Sequence, residues 1–273
     1  MSNISPVNNV TNIIAENSLS NTQSQLQTTL QQLSTGNELV SPAIAPANSS
    51  IAAGLNANIA ALTQSAQNTQ NGVGELQTAA GALSQVTTLL NTAITLATQG
   101  ATSGLSTQQS AALDTEFQSI LGEIGTIGST TNFNGTAVFG TTLSVFTSDG
   151  TSNGSNSVST SISALSTTAL SLTGLDLTSS ADSSAALTAI TSAINLVSAN
   201  NGAIGSSINA LSASSNVAST EQTNLQDAVN NIQNTNIPSA VSQLTQEQTL
   251  QQIGFSALQS SQQSEQLVEK LFQ

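Results

Sequence analysis

From Ile51 to Ala97, apolar or small residues recur at steps of three and four: Ile51, Leu55, Ile59, Leu62, Ala66, Thr69, Val73, Leu76, Ala80, Leu83, Val86, Leu90, Ile94 and Ala97. A helix puts such positions on one face. At ~1.5 Å per residue this one extends on the order of 70 Å. A stripe sustained this long predicts a coiled coil or long bundle. Gly72, Gly74 and Gly81 lie inside it. Each costs up to ~1 kcal/mol against Ala, and close helix packing is a reason to keep them.

Thinner stripes flank the long one. Val10, Ile13, Ile14, Leu26, Leu30 and Leu33 share a helical face, and Leu33-Ser34-Thr35-Gly36 predicts a glycine-capped helix end. Pro42 and Pro46 make the next stretch a connection. After a break at Gly100–Gly104, Ser106 is placed to cap a third helix carrying Leu113, Phe117, Ile120, Leu121, Ile124 and Ile127.

Residues 129–180 change character. Ser, Thr, Gly and Asn dominate, with β-prone pieces at Thr136–Phe139 and Leu143–Phe146 and a turn signal at Asp149-Gly150. Helical spacing returns from Ser184, with Leu187, Ile190, Ile194, Val197, Ile204, Ile208 and Leu211, then Val217, Leu225, Val229 and Ile232. Beyond Pro238 a last stripe carries Val241, Leu244, Leu250, Ile253, Leu258, Leu267, Val268 and Leu271. The pattern predicts a mainly α fold: a long antiparallel helical bundle or coiled coil formed by both terminal regions, with a small β-rich and loop insert in the middle. Neither terminal stripe is stable in water alone, so the two arms are expected to pair.

Composition narrows the function. Of 273 residues one is basic and fourteen are acidic, a formal charge of -13, and Cys, His, Trp and Tyr are absent. With 37% hydrophobic but only 2% aromatic residues, Ala, Leu, Ile and Val must fill narrow helix seams. A nucleic-acid surface or an anionic membrane surface needs clustered Lys and Arg, and one lysine makes no cluster. No window reaches the ~18 apolar residues of a membrane span. The first residues lack a basic n-region and an apolar h-region, which predicts no Sec-type signal.

Catalysis by Ser-His-Asp, imidazole metal sites and thiol chemistry are excluded by the missing His and Cys. The carboxylates Asp114, Glu116 and Glu123 fit a solvated helix face, and Glu265 and Glu269 lie five residues and one residue from Lys270, outside favourable helical pairing. Asp149, Asp176 and Asp182 are too isolated for a calcium loop, and Gly72-Val73-Gly74 is no phosphate cradle. The six Phe residues have no cations beside them and fit local core anchors rather than a base-stacking platform. No catalytic, cofactor or metal residue is predicted. Below about pH 3 nearly every carboxylate would be neutral and the chain almost uncharged. That balance suits an acid-exposed surface, and equally suits compositional drift under another selection.

Four strings then stand in order: Leu30-Gln31-Gln32-Leu33-Ser34-Thr35-Gly36; Ala45-Pro46-Ala47-Asn48 through Gly54-Leu55; Asn132-Phe133-Asn134-Gly135; and Gln248-Thr249-Leu250-Gln251-Gln252-Ile253-Gly254 with Ser256-Ala257-Leu258. Together they resemble bacterial flagellin, the second in an alphaproteobacterial-like variant, and the resemblance covers 1–139 and about 184–273. It implies an N-terminal helical region over 1–139, a variable surface insert over 140–183 and a C-terminal helical region over 184–273. By resemblance the chain is a filament subunit at the extracellular flagellum, a homopolymer exported unfolded through the type III apparatus. Cap, hook-junction and secretion-chaperone partners are implied at family level. The arms at about 5–34 and 238–273 are expected to order on assembly.

The predicted polymerisation or coiled-coil seam comprises Leu26, Leu30, Leu33, Ile59, Leu62, Leu76, Leu83, Leu90, Leu250, Ile253, Leu258, Leu267 and Leu271. The Ser/Thr-rich middle offers glycan attachment points or simply a solvated loop. A hook–filament junction protein and a surface adhesin are the competing readings. Where relatives carry an Arg-x-Arg-Glu-Leu-Ala string contributing to innate-receptor recognition, this chain has Thr92-Ala93-Ile94-Thr95-Leu96-Ala97. The charged residues after the LSTG string are also largely replaced, by Asn37-Glu38-Leu39-Val40-Ser41-Pro42-Ala43-Ile44.

Overall fold

A computed structural model describes residues 5–149 and 156–271. The elements are α1 (Ser5–Thr35), α2 (Pro46–Gly100), α3 (Thr107–Thr130), β1 (Asn132–Phe133), β2 (Thr136–Ala137), β3 (Thr141–Phe146), β4 (Ser157–Ile162), α4 (Ser180–Gln233) and α5 (Ile237–Leu271). They divide into two compact units, one of residues 1–57 with 225–273 and one of residues 58–224; the divisions fall within α2 and α4. The mainly α fold with small sheets in its middle agrees with the apolar spacing. Gly72, Gly74 and Gly81 leave α2 unbroken.

The unit of residues 58–224 holds the large aliphatic core. Leu76, Leu83 and Leu90 of α2 are buried with Phe117 and Ile124 of α3 and Ile190, Ile204 and Leu211 of α4. Burying each such side chain stabilises by ~1.5–3 kcal/mol. Helix α3 starts where its sequence says: Ser106 accepts the Gln109 amide while the Gln109 side chain accepts the Ser106 amide, a reciprocal cap. Helix α4 starts at Ser180, before Ser184, because Ser179 accepts the Asp182 amide and its hydroxyl donates to the Asp182 carboxylate.

Two antiparallel hairpins follow α3. β1 and β2 pair Asn132 with Ala137 and Phe133 with Thr136 across Asn134-Gly135, whose φ values of 50° and 80° belong to a tight two-residue turn. Val138 and Phe139, expected to continue the strand, leave it and are buried in the core. β3 pairs with β4 from Thr141↔Ile162 to Phe146↔Ser157. The turn expected at Asp149-Gly150 lies partly outside the described residues. The segment after β4 contributes Leu165, Leu170, Leu172 and Leu177 to the core, and Asp114 holds its end by accepting the Leu177 amide at 3.0 Å.

Glycine admits two of these elements to the helices. A Cβ on Gly72 would come within 2.5 Å of Val145 Cγ2 on β3, and one on Gly128 within 1.6 Å of the Leu165 carbonyl oxygen. At Gly81 nothing lies within 4 Å, so its role is not close packing within the chain.

Helical threonine hydroxyls are largely satisfied inside their own helices. Thr63 donates to the Ile59 carbonyl, Thr87 to Leu83, Thr98 to Ile94, Thr191 to Leu187 and Thr245 to Val241, four residues back in each case. Ser65 differs: it is 1% exposed and its Oγ has no hydrogen-bond partner. Ser65→Ala is therefore expected to raise the unfolding free energy by about 1 kcal/mol, because it removes an unsatisfied polar atom. Urea denaturation checks this, and a destabilised variant would show that the hydroxyl does find a partner.

Candidate assembly interface

The unit of residues 1–57 and 225–273 is built on the α1–α5 pair, and its packing has little large apolar content. Its buried hydrophobic residues among those described are Ala52, Val229 and Ala240. The helices run antiparallel, since Thr29 and Leu19 of α1 meet Glu247 and Gly254 of α5 in turn, while Gly36 just past α1 meets Thr235 just before α5. Gly36, with φ at 67°, ends α1 in the left-handed conformation that glycine adopts without strain. Just beyond it a short antiparallel clasp forms: the Glu38 amide donates to the Gln233 carbonyl at 2.6 Å and the Thr235 amide to the Gly36 carbonyl at 3.0 Å.

Polar groups stand between the two helices. The Thr29 hydroxyl is buried and donates to Glu247 Oε1 at 3.0 Å. Oε2 of the same carboxylate is buried without a hydrogen-bond partner. Neither residue was singled out by the apolar spacing. The available signal was positional: Glu247 falls midway between Leu244 and Leu250, in step with the stripe.

The expected seam residues separate into three groups. Leu62, Leu76, Leu83 and Leu90 are buried within the 58–224 unit. Leu26, Leu33, Ile59 and Leu258 are half-buried, whereas Leu30, Leu250, Ile253 and Leu267 are exposed. The side chain of Leu271 lies outside the described residues. Other large apolar groups missed by the seam assignment are also exposed, including Val10, Ile13, Ile14, Ile237, Val241 and Phe255. Among the described residues every exposed large hydrophobic side chain except Phe146, Leu196 and Val217 belongs to the terminal unit.

Electrostatics add no chemistry to this face. In the 58–224 unit, partial burial pushes the Glu75 carboxyl above its ordinary value, while the Thr178 hydroxyl and amide hold Asp176 below its own. The contribution of Asp176 is present above its ordinary pKa and fades as pH falls through the lowered one. Glu75 works oppositely, its desolvation penalty easing as pH falls. Among the described residues no group of three or more His, Cys, Asp or Glu is placed to hold a metal ion, and no helix is long and apolar enough to cross a membrane.

The architecture is that of a helical protein whose paired terminal arms leave many large apolar side chains exposed. Residues 7–144 match the bacterial flagellin N-terminal helical region, and residues 187–272 match the bacterial flagellin C-terminal helical region. The chain belongs to the bacterial flagellin family. It is 32% identical to the flagellin of Escherichia coli strain K12 over 130 residues, 48% of this chain and 26% of that protein. With the flagellin of Serratia marcescens it shares 32% identity over 146 residues, 52% of this chain and 42% of that protein. The matched region thus spans less than half the length of either relative. A crystal structure of Bacillus cereus flagellin is similar at 26% identity and a TM-score of 0.49, covering 55% of this chain and 88% of that one.

Proposed function

We propose that this chain is a structural subunit that polymerises into the extracellular filament of the bacterial flagellum. The observation that carries the reading is the exposed apolar surface on α1 and α5, including Ile13, Ile14, Leu30, Leu250, Ile253 and Leu267. A concentration of exposed large apolar side chains on two paired helices points to an interaction surface, and family membership supplies the partner, further copies of the same chain. The terminal arms order as they dock, which adds a folding cost to assembly and delays premature polymerisation. Residues 140–183 carry the outward-facing variable part on a segment anchored to the core by Leu165, Leu170, Leu172 and Leu177, with exposed Ser and Thr as attachment points for glycans. Cap, hook-junction, export-apparatus and chaperone partners follow from the family. The segment Ala45–Leu55 supports an alphaproteobacterial-like variant, and the role is structural rather than enzymatic.

Electron microscopy of purified protein, concentrated or seeded with filament fragments, tests the reading. Long uniform tubes are expected from the natural sequence. Ile253→Asp, at a side chain 57% exposed, is expected to leave the monomer's helical circular dichroism intact and abolish polymerisation. Leu33→Asp and Leu258→Asp should block assembly as well. Persistent monomers of the unaltered chain, or tubes from all three variants, would overturn the assignment.

A further inference from the structure

Neither Glu247 nor Lys270 has an ion-pair partner among the described residues. Glu247 lines a cleft of about 470 Å³ on the α1–α5 pair, among Gln25, Gln32, Gln243, Gln246 and Leu250. One of its oxygens is held by Thr29 while the other is buried with no donor. Leaving a carboxylate oxygen buried and unsatisfied is costly. The chain has a single basic side chain to offer it, Lys270, exposed in the last turn of α5. Among the described residues Lys270 has no ion-pair partner.

Within one copy the two cannot meet. They lie 23 residues apart on the same helix (270 − 247), about 35 Å at 1.5 Å per residue, far beyond the reach of a lysyl side chain. We infer that in the assembled polymer Lys270 of one copy enters this cleft on a neighbouring copy and pairs with Glu247. The inference rests on the polymerisation reading. The occupant is a second copy because a lone carboxylate among neutral amides selects for a cation, and a surface carrying -13 per copy has one such side chain. The cleft is roomy enough for an extended lysyl chain, with Leu250 to cover its methylenes and the amide oxygens of the glutamines to accept from the ammonium. In a polymer whose subunits repel one another by net charge, this contact fixes which neighbour docks and in what register.

The test begins with the critical concentration for polymerisation of the unaltered chain, read by sedimentation. Lys270→Glu, an exposed change, and Glu247→Gln, which keeps the Thr29 hydrogen bond, should each raise it about tenfold. The double exchange Glu247→Lys with Lys270→Glu should bring it back to within about threefold of the starting value. Because the chain has no cysteine, co-assembly of Glu247→Cys copies with Lys270→Cys copies should give a disulfide-linked dimer under mild oxidation. Neither variant alone should yield it. Unchanged critical concentrations for both single variants, or no mixed dimer in tubes that form normally, would overturn the pairing while leaving the polymerisation reading intact. Failure of the unaltered chain to polymerise would overturn both.

Discussion

Replacing Gly128 with Ala is expected to destabilise the 58–224 unit by about 3 kcal/mol or more, lowering its thermal midpoint by roughly 10 °C. The added Cβ would lie 1.6 Å from the Leu165 carbonyl oxygen and 2.7 Å from the Leu165 carbonyl carbon. The obstacle is backbone, so no side-chain rotation relieves it. Either α3 or the segment carrying Leu165, Leu170 and Leu172 must move, and those three leucines are buried in the core. The neighbouring glycines supply the control. At Gly122 and Gly125 an added Cβ meets nothing within 4 Å, so Ala there should gain helix propensity worth up to about 1 kcal/mol. Melting curves followed by circular dichroism separate the cases. Three variants that melt together would show that the segment after β4 does not sit against α3.

Purified monomer is expected to leave cells reporting on the innate flagellin receptor nearly silent, with a half-maximal concentration at least about 100-fold above that of a flagellin carrying the Arg-x-Arg-Glu-Leu-Ala string. In Thr92–Ala97 the structure buries Ala93, Leu96 and Ala97 and presents Thr92 and Thr95 to solvent. A surface of planar, bidentate guanidinium donors is replaced by two hydroxyls that donate to the Thr88 and Asn91 carbonyls of their own helix. Losing central charged contacts of this kind removes about 2–4 kcal/mol of binding, which sets the expected loss of potency. A response matching that of the arginine-bearing protein would show that recognition runs through another face.

The helices were legible because burial on one face leaves a three-and-four spacing that survives substitution among Ala, Leu, Ile and Val. Four features escaped that spacing. Leu165, Leu170, Leu172 and Leu177 anchor an irregular segment, and irregular backbone imposes no period, so residues 129–180 suggested a solvated insert where the structure finds part of the core. The start of α4 was signalled by Ser179 and Asp182 three apart, but the surrounding Ser and Thr masked it. At the interface, spacing shows that Leu83 and Leu250 each lie on a stripe but not what covers them; one is buried and the other is 46% exposed. That difference depends on which partner each helix has within the chain. Thr29 and Glu247 were hidden for the opposite reason, since a polar residue on an apolar stripe is indistinguishable in sequence from a gap in it.

The threonine hydroxyls that turn back onto their own helices have a consequence for whatever touches this protein. Each such hydroxyl has committed its only hydrogen, to Ile59, Leu83, Ile94, Leu187 or Val241, while its lone pairs remain available. With one lysine and no arginine, histidine, tryptophan or tyrosine, the remaining donors are chiefly the amides of Asn and Gln. Gln222 already spends its own in this way, donating to Thr63 Oγ1 at 3.0 Å. The outer surface thus has almost no cationic donor, and the hydrogens it can give come from neutral amides and serine hydroxyls. A partner that binds it through charge-assisted hydrogen bonds must bring the positive charge itself.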